Sequence, residues 1–175
     1  MERGAVPSAR GWHEMTVRIG PIDYRLTTPL ASVWRELAAL YAEYPRDDPA
    51  HCPEYEVSVR PTSLWRRFVR PQVGLYADIM GPFAPLPASL GQVAFEMGMN
   101  YQVAMGLNRL LILHASAVAR DGGCILFSAD SGSGKSTLAA GLAYAGWRLL
   151  GDEFALIEPG TGLAWPFPRP LSLQN

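Results

Sequence analysis

The segment Ala129-Asp-Ser-Gly-Ser-Gly-Lys-Ser136 constrains this chain more than any other. It follows an apolar run, Cys124-Ile-Leu-Phe127, and leads into a helix-forming stretch, Thr137-Leu-Ala-Ala-Gly-Leu-Ala-Tyr144. The order is strand, glycine-rich loop, helix, which is the context a phosphate-binding loop requires. Gly132 and Gly134 carry no Cβ, so the backbone can take positive φ and approach a ligand closely. Successive N–H groups of such a loop form an anion-binding nest, and the following helix adds the positive end of its dipole. Lys135 can reach β- and γ-phosphates, and the Ser136 hydroxyl can ligate Mg²⁺. The predicted nucleotide-binding residues are Ala129, Asp130, Ser131, Gly132, Ser133, Gly134, Lys135, Ser136 and Thr137, with ATP or GTP and Mg²⁺ as ligands. Ala129 stands where such loops carry their first glycine. The bland alternative is a Gly/Ser turn between a strand and a helix.

The 175 residues suffice for one domain, or for a small domain with part of another. Apolar residues make up 49% of the chain, which supports a sizeable core and argues against global disorder. A net charge of −1 gives no basic excess to attract nucleic acid. Cys52 and Cys124 are far apart, lack any metal-ligand spacing and read as reduced thiols of a cytoplasmic protein. The first ten residues lack the apolar core of a signal peptide, and no run of about 18 apolar residues predicts a membrane span.

Along the chain, residues 15–28 read as a strand or hairpin, with Val17, Ile19, Ile22, Tyr24 and Leu26 alternating with polar neighbours. A helix is predicted over 30–44, its Trp34/Tyr41 stripe assigned to core. Pro45–Pro49 reads as a loop, and Tyr55–Arg60 and Val73–Ile79 as strands. The basic-aromatic segment Leu64–Arg70 reads as an amphipathic edge with solvated arginines, though it could bind an anion or acidic peptide. Met80–Pro87 reads as a linker. A helix over about 88–109 is apolar on most sides, so Glu96 and Asn100 need partners if buried. Leu110–Ala119 reads as one apolar strand interrupted by His114, Asp121-Gly-Gly123 as a hairpin turn, and Gly146 as the C-cap of the loop helix. The expected division is an N-terminal α+β region, 1–87, and a helix plus phosphate-loop α/β core, 88–175.

Two further features accompany the loop. Asp152-Glu153 follow an apolar run after the loop helix, where an acid pair could hold Mg²⁺ or position a nucleophile; an exposed acidic turn is the alternative. His114 interrupts the strand beside the loop strand. Alone it reads as a satisfied core histidine, whereas beside Asp152 it could orient a carboxylate for acid/base work.

Taken together, His114, Gly122-Gly123, the 129–136 loop and Gly146-Trp-Arg-Leu-Leu-Gly-Asp-Glu153 resemble the core of the HPr kinase/phosphorylase family. They resemble most closely the HPr kinase-related proteins labelled HPr-related kinase A. The resemblance is specific over 110–158 and extends more loosely to Pro82–Pro87, the helix bearing Glu96 and Asn100, and Pro168–Asn175. It implies a kinase core related in fold to phosphoenolpyruvate carboxykinase. It implies Asp152 as the base that takes a seryl proton, His114 as its neighbour, Lys135 on the phosphates, and Ser136, Asp152 and Glu153 as metal-holding groups. Glu153 stands where the bifunctional family has Asp, and Thr137 where it has Glu, departures that bear on the reverse phosphorylase reaction. The family core continues well past the acid pair, so the chain is expected to be an incomplete copy of the kinase domain.

The expected function is ATP-dependent phosphorylation of a Ser hydroxyl on a protein or peptide, with ATP and Mg²⁺ as cofactors and no nucleic-acid or membrane partner. Two alternatives stay open: a small-molecule phosphate-loop kinase and a non-catalytic nucleotide-binding module. The sequence leaves the acceptor and any homo-oligomer undecided.

Overall fold

The computed structural model describes residues 11–46, 52–79, 83–130 and 132–170. The N-terminal ten residues, most of the Pro45–Pro49 loop, the start of the Met80–Pro87 linker, Ser131 and the 171–175 end of the resemblance lie outside them. The chain is mixed α/β and forms two compact units. One comprises residues 1–18 and 22–107, the other residues 108–175 with 19–21. Among the described residues no helix is long and apolar enough to cross a membrane.

The first unit carries a five-stranded sheet in sequential order: β1 (His13–Ile19), β2 (Ile22–Thr28), β3 (Tyr55–Pro61), β4 (Gln72–Ala77) and β5 (Leu86–Pro87). Buried and half-buried residues alternate strictly along β2, the period-2 signature of a sheet with one face in a core. β2 and β3 run parallel, which requires a crossover, and α1 (Ala31–Leu40) supplies it. Val33 and Leu37 are the buried face of α1, and Tyr41 just beyond it is fully buried. Trp34 is only half-buried and stacks on His13, ring centroids 5.3 Å apart.

The second helix, α2 (Gly91–Gly106), packs on β3 and β4. It was expected with the loop-bearing region, but belongs with this sheet. Close approach explains it: a Cβ on Gly98 would lie 2.7 Å from a Leu75 methyl and 2.8 Å from a Val57 methyl. Glu96 finds its partner in the Tyr41 hydroxyl, 2.6 Å away. The fully buried Gln102, not singled out in the sequence, joins two segments. Its amide N–H donates to the Glu56 carbonyl at 2.7 Å, and its oxygen accepts the Ile79 N–H at 3.2 Å. The basic-aromatic segment is a short 3-10 turn, Trp65–Arg67, with Leu64, Trp65 and Phe68 exposed.

The second unit has two three-stranded sheets. One is ordered β11 (Ala164–Trp165), β10 (Ala155–Ile157), β6 (Leu111–Leu113), all antiparallel pairs. The other is ordered β8 (Gly123–Phe127), β7 (Ser116–Arg120), β9 (Arg148–Gly151), with β7 antiparallel to both neighbours. The single strand expected over 110–119 is thus two strands in different sheets, broken at His114-Ala115. A core of three alanines, Ala115, Ala117 and Ala155, and Leu150 fills the space beside them. α3 (Lys135–Tyr144) connects β8 to β9 and packs over β7 and β9. Its end is a Schellman motif: Gly146 has φ +89°, its N–H donates to the Ala143 carbonyl, and the Trp147 N–H donates to the Leu142 carbonyl.

Candidate functional site

The glycine-rich loop joins the end of β8 to the start of α3. Gly132 and Gly134 have φ of +78° and +89°, and Gly134 is the residue before the first helical turn. Among the described residues, a Cβ at either position would meet nothing within 4 Å. Backbone conformation, not crowding, therefore requires glycine, and the space above the loop stays open. Ala129 takes no positive φ, so alanine there carries no left-handed strain.

The first intrahelical bond of α3 runs from the Leu138 N–H to the Gly134 carbonyl, at 2.9 Å. The amides of Lys135, Ser136 and Thr137 precede it and have no intrahelical acceptor. No side chain caps this end and no acid stands in the first turn. The positive end of the helix therefore meets no compensating charge from its own first turn. The Lys135 ammonium donates to the carbonyls of Ala129, at 2.6 Å, and Asp130, at 3.0 Å. The Ser133 N–H closes the turn on the Asp130 carbonyl at 3.3 Å.

The acid pair shares the loop's edge of the sheet. In register, Ser116 is opposite Phe127 and Ala117 is opposite Gly151. The last residues of β8 and β9 and the first of β7 therefore lie at one end of the three strands. The loop leaves from β8 and Asp152 from β9, two strand spacings apart, roughly 10 Å. A register shift at Ala117/Val118 places an additional β9 residue, Leu150, in the ladder. Without it, Gly151 would stand opposite Ser116; with it, Asp152 does. Gly151 is itself required by close approach, since a Cβ there would lie 2.5 Å from the Phe154 carbonyl oxygen.

Asp152 is half-buried, and its Oδ1 accepts a hydrogen bond from the Ser116 hydroxyl at 2.7 Å. His114 faces the other acid: its Nδ1 lies 3.8 Å from Glu153 Oε1, with both side chains more than half exposed. No ion pair within 4 Å joins His114 to Asp152 among the described residues. The neighbour expected from sequence, His114, thus belongs to Glu153, and Ser116, a residue not singled out, belongs to Asp152. A lone serine in an apolar run was the available signal. Its partner depends on the register shift, which single-sequence patterning does not contain.

Ser136 in the first turn of α3, with Asp152 and Glu153, offers hard oxygen donors that suit Mg²⁺ in kind. No three His, Cys, Asp or Glu among the described residues form a group able to hold a metal alone. These residues would hold such an ion only together with oxygens of a bound phosphate. A hollow of about 610 Å³ lies at the opposite end of the strands, walled by Arg120, Asp121, Gly146 and Arg148, and includes neither the loop nor the acids. Cys124, on β8, is exposed, while its neighbours shield the thiol enough to push its pKa up. No family model, curated protein or solved structure matches this chain.

Proposed function

We propose that the second unit is the nucleotide-binding core of an ATP-dependent kinase of the HPr kinase-like, phosphoenolpyruvate carboxykinase-related type. Its acceptor is a Ser hydroxyl on a protein or peptide. The observation that carries this reading is the shared edge: a loop with two left-handed glycines and an uncapped helix start, one strand removed from a half-buried carboxylate. Nucleotide binding alone needs only the loop, whereas the carboxylate adds a proton acceptor beside it.

In this reading the Lys135 ammonium exchanges the Ala129 and Asp130 carbonyls for β- and γ-phosphate oxygens. The free amides of the first helical turn receive the remaining phosphate charge. Mg²⁺, held by Ser136 with Glu153, would neutralise charge on the phosphates, since Asp152 Oδ1 is engaged by Ser116 and its other oxygen is the base. Asp152 takes the proton of the acceptor hydroxyl. That oxygen forms its bond to the γ-phosphorus as the bond to the β,γ-bridging oxygen breaks, leaving ADP. Positioning and charge neutralisation supply most of the rate.

The test measures phosphate transfer from radiolabelled ATP, with Mg²⁺, to a degenerate library of seryl peptides. Asp152→Asn should cut transfer by about 10²–10⁴-fold, leaving a measurable residue, while ATP affinity by calorimetry stays within about twofold, because it removes a proton acceptor and not a phosphate contact. Transfer by Asp152→Asn at the wild-type rate refutes the assignment. ATP binding with no transfer by the wild type points instead to a nucleotide-binding module, and transfer only to small alcohols points to a small-molecule kinase.

A further inference from the structure

We infer that Ser116 is the positioning residue for the Asp152 carboxylate, an inference that rests on the kinase reading above. Ser116 is fully buried at the first position of the central strand β7. Its Oγ lies 2.7 Å from Asp152 Oδ1 and 3.2 Å from the Asp152 carbonyl oxygen. A hydroxyl has one proton to donate. The shorter distance and the charge of the carboxylate assign that proton to Oδ1.

Three consequences follow from this geometry. Among the described residues Ser116 alone hydrogen-bonds the Asp152 carboxylate, so the side-chain torsion of Asp152 is set from one point. Oδ1 is committed to Ser116, and Oδ2 is left as the oxygen that can take a proton. The donor sits on the middle strand of the sheet, held on both sides by ladder bonds, and not on the loop that must accept a ligand. The device is completed by the β9 register shift and by Gly151, which turn Asp152 onto Ser116. A serine that merely satisfied its own buried hydroxyl would need only the Asp152 carbonyl; the contact to the carboxylate ties it to the reacting group.

The experiment uses the peptide-library transfer assay with wild type, Ser116→Ala, Ser116→Thr, Asp152→Asn and the double variant Ser116→Ala/Asp152→Asn. Ser116→Ala should lower kcat about ten- to a hundredfold, the worth of a hydrogen bond to a charged group, with KM for ATP unchanged. Ser116→Thr, which keeps the hydroxyl, should recover most of that loss. In the Asp152→Asn background Ser116→Ala should cost nothing further, because the group it positions is gone. Should Ser116→Ala fail to fold, Ser116→Cys, with a weak donor of similar size, carries the same expectation. A wild-type kcat in a folded Ser116→Ala, an equal loss in both backgrounds, or a rise in KM for ATP that accounts for the loss overturns the inference and leaves the kinase reading standing. Wild-type transfer by Asp152→Asn, or none by the wild type, overturns the kinase reading and this inference with it.

Discussion

The Lys135 ammonium reaches back 2.6 Å from the carbonyl oxygen of Ala129, at the far end of its own loop. With the second bond to Asp130 it spans the turn from helix start to strand end. Two partial negative charges thus hold the lysine against its own loop. Anionic oxygens can replace them at little cost, since the carbonyls are exposed and water can satisfy them.

Lys135→Ala is therefore expected to separate affinity from stability. Removing a charge-assisted phosphate contact of roughly 1.5–3 kcal/mol should weaken MgATP binding at least about tenfold. The midpoint of chemical denaturation should barely move, because exposed side chains away from the core usually count for less than about 0.5 kcal/mol. Calorimetric titration of both proteins decides the first point. Unchanged nucleotide affinity would remove the loop from the proposed function.

Two glycines close together in sequence should respond with opposite signs. Gly134 sits at φ +89°, so Gly134→Ala pays the left-handed penalty of about 1–2 kcal/mol or deforms the loop. Gly141 lies inside α3 with ordinary φ, and a Cβ there meets nothing within 4 Å. Gly141→Ala should stabilise the protein by about 0.5–1 kcal/mol through helix propensity. Urea denaturation of the two variants gives the comparison. Equal effects would mean that Gly134 does not hold its left-handed conformation in solution.

Gly151→Ala tests how the acid is placed. The Cβ would come 2.5 Å from the Phe154 carbonyl oxygen, a backbone atom that cannot swing aside. Overpacking of this kind costs about 1–3 kcal/mol. Because Gly151 precedes Asp152, transfer to seryl peptides should also fall, while ATP affinity, set by the loop, should hold. An alanine variant with wild-type stability and transfer would show that the β9–β10 turn opens easily.

How much of this was legible beforehand depended on range. The loop, α3 and the Gly146 cap were readable because each is decided by neighbours within a few residues. The alternation of Val17, Ile19, Ile22, Tyr24 and Leu26 likewise marked a hairpin sheet with one buried face. The site's edge was readable only in outline: the spacing of Lys135 and Asp152 allowed a helix and a strand, but not the antiparallel β7 between their strands. The resemblance pairs His114 with Asp152, whereas the structure sets its ring against Glu153; sequence offers no register, and a one-residue shift in β9 decides which side chain meets which. α2 was placed with the loop by chain order. The contact of Gly98 with Val57 and Leu75 and the bonds of Gln102 to Glu56 and Ile79 show that its face belongs to the first sheet. The role of Gln102 is illegible in sequence for the same reason, since both its partners come from distant segments.

The last expectation concerns β8. Among the described residues it is an edge strand, with β7 on one side only, and it carries Ile125 and Leu126 at 42% and 37% exposure. Successive residues of a strand point to opposite faces, so both faces of β8 offer apolar surface beside unpaired backbone groups. Such an edge is a template for pairing with another chain. α3 adds Leu138, about half exposed, and Tyr144, nearly fully exposed. The 175-residue protein should therefore associate as its concentration rises, through β8. Ile125→Lys places a charge on that edge and should shift sedimentation toward the monomer, whereas Ser32→Lys, on the exposed face of α1 in the first unit, should not. Equal association of wild type and Ile125→Lys would show that β8 is not the contact, and a monomer at every concentration would show that its exposed residues are tolerated singly.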